Sequence, residues 1–170
     1  MTIPVGCQTI DPCCGGLYPA ASDLAQAVAA ALVECQGGVG CGDLDAFVSH
    51  AEPVGIGHYV AVWLMRERFA TSRTNMKLPI PTFGVRYVEP GYPRLDVEAG
   101  EPTLPDRADL DAAARHSYAH LQVMIDAVLA FRMSPTRQAV CSVVSIERAG
   151  PDRIQAGFSG WTLEATWGYS

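Results

Sequence analysis

His116 and His120 stand four residues apart in the segment HSYAH. On a helix that spacing puts two imidazoles on one face, where they could share a zinc ion. The glutamate that a HExxH protease needs between them is missing. A catalytic zinc also wants a third protein ligand, and the sequence does not identify one. The expectation is therefore a pair of core-edge histidines and no bound metal. The cysteines give no stronger signal. Cys7, Cys13, Cys14, Cys35 and Cys41 contain no CxxC pair, and Cys141 falls in a strand-like run with no evident base beside it. Small apolar side chains in a reduced protein account for them. No GxxxxGK[ST] or GxGxxG follows a strand, and FSGW is not a nucleophile elbow. Neighbouring acids such as Asp109 with Asp111 and Glu98 with Glu101 have the setting of solvated groups or helix caps. No catalytic residue, no metal ligand and no cofactor is expected.

What remains are groups suited to contact. Arg66, Arg68, Arg73 and Lys77 form the one local basic cluster, in RERFATSRTNMK. Arginines on a projecting loop can pair with acidic patches on a partner; the alternative is an ordinary solvated hairpin end. Trp161, Leu163, Ala165, Trp167 and Tyr169 alternate along the final strand. Trp161 reads as core, while Trp167 and Tyr169 read as lying nearer a subunit boundary.

The elements that must position these groups follow from periodicity. At 170 residues, 49% of them apolar, the chain suits one domain, 1–170. Residues 1–20 read as a loop-like arm. Ser22 reads as an N-cap, and Leu24, Ala27, Val28, Ala31, Leu32 and Cys35 make a helical stripe that Gly37 and Gly38 stop. Residues 45–50 and 59–68 are expected strands, the second apolar on both faces and so central. A projecting hairpin over 66–80 leads into a further strand around 82–88. Prolines 90, 93, 102 and 105 exclude a helix from 89–105. Asp106 then opens a long helix to residue 132, with Leu110, Ala114, Leu121, Ile125, Val128 and Leu129 as its buried stripe. Strands over 140–148 and 158–169 close the chain. The expected fold is α/β of the α+β kind. A mainly antiparallel sheet is flanked by an N-terminal helix and by one long helix before the last two strands.

The net charge of −6, without a basic tail or stripe, argues against a nucleic-acid binder. No apolar run approaches a membrane span and no signal peptide is evident, so a soluble protein made in a cytoplasm is expected. A single lysine among 12 basic residues, with abundant Ala, Gly and Val, points to a coding sequence rich in G and C and so to an actinobacterial setting.

Together, SDLAQAVAAALVEC, the pair DAFVSH and HYVAVWLMRERF, RADLDAAARHSYAHLQVMIDAVLAF and GFSGWTLEATWGYS cover most of the chain. In layout and texture they resemble the tail terminator (tail completion) proteins of long-tailed bacteriophages, especially those of actinobacterial hosts. The resemblance implies a structural subunit of the virion neck, assembled in the host cytoplasm. It implies a homo-hexameric ring that caps the tail tube, stops its polymerisation and joins it to the head connector. The implied partners are further copies of the chain, the major tail tube protein and a connector or stopper protein, with DNA passing through the lumen without specific binding. The alternatives are another head-tail component, a stopper or adaptor, and a small metal-dependent enzyme using His116 and His120.

Overall fold

The computed structural model describes residues 16–35, 44–71, 77–90, 106–136, 139–153 and 158–169. In chain order the elements are α1 (Leu17–Cys35), β1 (Asp45–Ser49), β2 (Tyr59–Thr71), β3 (Lys77–Pro90), α2 (Arg107–Ala130), β4 (Met133–Thr136), β5 (Ala139–Arg153) and β6 (Phe158–Tyr169). The strands form one six-stranded sheet in the order β1-β2-β3-β6-β5-β4. All pairs are antiparallel except β1 with β2, which run parallel in register from Asp45 opposite Tyr59 to Ser49 opposite Trp63. The link between those two strands, residues 50–58, is short for a parallel crossover.

Both helices lie on one face of the sheet and share its core. Leu24, Val28 and Leu32 of α1 and Met124 and Val128 of α2 pack with Val60, Val62, Phe83, Val85, Tyr87, Leu163, Ala165 and Trp167. The alanines of α1 let its backbone approach the strands closely, as Ala21 and Ala25 show by being fully enclosed. The opposite face carries a smaller cluster of Tyr59, Ala61 and Val88.

Four sequence expectations change. First, α1 begins at Leu17, so residues 17–20 are helical and Ser22 lies inside the helix. Pro19 is tolerated because it stands in the first turn, where backbone N–H groups have no intrahelical partner. Residues 1–15 of the expected arm lie outside the described residues. Second, the buried stripe of α2 is His120, Met124 and Val128, while Leu110 and Leu129 are exposed. The helix turns a face containing histidine inward because a carboxylate on β3 receives it. Third, β4 intervenes between α2 and the last two strands, and Pro135 sits in it at the sheet's edge, where a proline breaks no ladder. Fourth, β2 and β3 run further than expected. Because β6 pairs with β3 only from Thr82 onward, the hairpin beyond that point is two-stranded. Pro79 and Pro81 fit there, since among the described residues no strand pairs with that edge of β3 before Thr82. Residues 64–69 are exposed on both faces, and a bulge between Leu64 and Arg66 re-aims the strand as it leaves the sheet. The hairpin tip, 72–76, lies outside the described residues.

Candidate functional site

On β3 the residues Phe83, Val85, Tyr87 and Glu89 point to the helical layer, the first three buried with the core and the fourth meeting α2. Glu89 therefore carries a carboxylate into the seam between sheet and helix, where it is almost fully buried. The two histidines of α2 come to it. His120 Nδ1 stands 3.1 Å from both carboxylate oxygens, and His116 Nε2 stands 3.1 Å from Oε2. The imidazoles lie edge to face with ring centroids 4.2 Å apart, one helical turn bringing them together. The Tyr87 hydroxyl donates to Glu89 Oε2 at 3.1 Å, and His58 Nε2 lies 3.3 Å from the same hydroxyl. The Tyr87 ring also meets His120 edge-on at 5.4 Å.

Burial alone would raise the Glu89 pKa. The hydrogen bonds and charges of His120 and His116 outweigh it and hold the carboxyl below its ordinary value. An ionised carboxylate can thus persist in an interior where an unpaired one would be costly. His120 is enclosed, whereas His116 is about a third exposed, so the cluster is closed on its sheet side and reaches solvent through His116.

The groups expected to make contacts are dispersed. Arg66 lies at the base of the two-stranded arm, hydrogen-bonded through Nε to Thr82 Oγ1 at 3.3 Å and ion-paired with Glu147 of β5. Both charges are half-exposed, so the pair is weak, but the Arg66 charge has a partner within the subunit. Arg68 is exposed, opposite Ile80. Lys77 opens β3 opposite Thr71, with only its backbone described, and Arg73 lies outside the described residues. Trp167 differs from expectation. It is fully buried, with the Phe83 ring of β3 at 5.8 Å and the Phe131 ring, just beyond the end of α2, at 6.5 Å. Its side chain is core. Tyr169 pairs with Cys141 across the β5–β6 ladder, and burial pushes its phenol pKa far up, the Cys141 thiol adding to the effect.

Sequence reasoning missed Glu89, Tyr87, His58 and Arg86. Glu89 left a trace, an acid in the buried phase of an alternating strand, two residues after Tyr87. Arg86 left less. It lies on the face away from the helices, bonding Thr162 Oγ1 at 2.9 Å, the Pro53 carbonyl and Glu52, with its guanidinium 5.7 Å from the Trp63 ring centre. It thereby ties the 50–58 crossover to the middle of the sheet.

No protein-family model matches the chain, and no curated protein does. Among solved structures, one chain of a structure described as "Virion of native gene transfer agent (GTA) particle" is similar at 16% identity, over 89% of this chain and 92% of that one, with a TM-score of 0.44. A likeness that slight bears no weight in assigning a function.

Proposed function

We propose that this chain is a structural subunit of a phage-type virion, and specifically a tail terminator that closes into a ring on the tail tube. The observation that carries the assembly reading is the two-stranded arm. Phe69 is 58% exposed there, and Leu64 and Met65 are exposed on β2 just before the arm begins. A lone subunit gains nothing by holding such side chains in water on a paired hairpin, whereas a neighbour covering them recovers the burial. Among the described residues the outer edges of β1 and β4 have no partner strand, and Phe47 of β1 is exposed as well. An arm reaching from one subunit to a different surface on the next makes a heterologous contact, the kind that closes into a ring.

The terminator role itself rests on the resemblance of sequence layout to that family, with the α+β architecture in agreement. In this reading the ring stops tube growth, docks the connector or stopper, and lets DNA slide past a subunit of net charge −6. A stopper or adaptor is the nearest rival. Glu89 supplies the third protein ligand that a small metal-dependent enzyme would need, so that reading also keeps a specific observation.

Light scattering of the purified chain, at high concentration and with tail tubes added, should give a closed oligomer, and electron micrographs of particles lacking it should show tails of uncontrolled length. A strict monomer under both conditions, with normal tails in its absence, would overturn the reading. Turnover that disappears with a chelator while tails stay normal would favour the enzyme.

A further inference from the structure

We infer that Glu89, His116 and His120 form a binding site for one divalent transition-metal ion of the zinc class, clamping α2 to β3. The three side chains offer a carboxylate oxygen and two imidazole nitrogens, all within 4.8 Å of one another. Zinc bonds to such atoms at about 2.0–2.2 Å, which puts ligands of one tetrahedral ion roughly 3.3 Å apart. The 3.1 Å separations from Glu89 to each imidazole already match that spacing. Only the spread between the outer atoms must contract, and His116, about a third exposed, is the less enclosed of the two imidazoles.

The donor chemistry selects the ion. Two imidazoles and one carboxylate suit zinc and its neighbours, whereas calcium and magnesium prefer six or more oxygens. The carboxylate has an outer partner of the kind metal ligands keep, since Tyr87 donates to Oε2 and His58 backs Tyr87. Three protein ligands would leave a fourth position for water. The ion would join an element from each layer at the seam between helix and sheet. This inference does not depend on the virion reading, since either outcome of the assembly experiments leaves it standing or falling by itself.

The test uses the full chain, freed of metal by a chelator and kept reduced, titrated with zinc(II) by calorimetry and with cobalt(II) by absorption. The histidine variant His116→Ala removes a ligand that is partly exposed, so the fold should survive, which circular dichroism checks. Wild type should take up one ion at this site, with a rise in Tm. It should also show a cobalt d–d band that is absent from His116→Ala, and affinity there should fall by at least about tenfold. Because thiols could bind zinc elsewhere in the chain, the difference between the two cobalt spectra should lack the near-ultraviolet thiolate charge-transfer band. Glu89→Gln, if folded, should lose the same band. Equal stoichiometry, affinity and spectra in wild type and a folded His116→Ala would overturn the site, as would a difference spectrum dominated by thiolate ligation.

Discussion

Trp161 and Trp167 share the helix-facing side of β6 but anchor different parts of the core. The Trp161 indole donates to Ser117 Oγ at 2.8 Å and to the Ser117 carbonyl at 3.0 Å, fastening the middle of α2, and Tyr118 packs beside it at 5.7 Å. Trp167 fills the other end between Phe83 and Phe131. Trp167→Ala should therefore destabilise the subunit by about 3–5 kcal/mol, the cost of emptying a large aromatic site. Trp161→Phe keeps most of the buried area and loses the indole hydrogen bonds, at about 1 kcal/mol. Thermal melts of both variants check this ordering, and a Trp167→Ala subunit that melts like wild type but cannot associate would return Trp167 to an interface.

At the scale of elements, the register of the sheet is held by departures from regularity. The apolar residues of β5 would fall out of phase after Val143, but bulges between Val143 and Ser145 and between Ile146 and Arg148 restore them, so that Cys141, Val143 and Ile146 oppose Tyr169, Trp167 and Ala165. On the other face, Gly84 lies opposite Trp63 in the β2–β3 ladder, and the indole lies flat across it: a Cβ at Gly84 would stand 2.2 Å from Trp63 Cζ2. Gly84→Ala should consequently displace Trp63 and cost about 1–3 kcal/mol. The double variant with Trp63→Leu should recover much of that loss, and additive losses in melts would show that the indole is not the obstacle.

For the whole molecule, the proposed assembly gives the two-layer body and the two-stranded arm separate tasks, and their mutations should separate too. Phe69→Ser removes exposed apolar surface from the arm and replaces no residue of the buried core, so the stability of the lone chain should change by less than about 0.5 kcal/mol. The same variant should shift the chain from closed oligomer to monomer in light scattering. Unchanged assembly would exclude the arm from subunit contacts. Arg68→Glu should act more weakly, since a rim charge alters association rate and salt dependence more than affinity.

The sequence by itself determined the elements whose signal is local. Alternation from Phe158 to Tyr169, the apolar run at Tyr59 and the long helix after Asp106 each follow from the few residues that form them, and β6 has its expected bounds. Their assembly is legible only coarsely, since pairing order and direction depend on which faces meet. The parallel β1–β2 pair, the β6 strand inserted between β3 and β5, and the inward turn of His120 are long-range outcomes. The candidate site was half legible. The spacing of His116 and His120 marks two possible ligands, but Glu89 stands 27 residues before His116 and 31 before His120, beyond a proline-bearing segment. Only the packing of α2 across β3 converts an acid in a strand and two histidines in a helix into one cluster, because no local rule sets which face of a helix meets a distant strand.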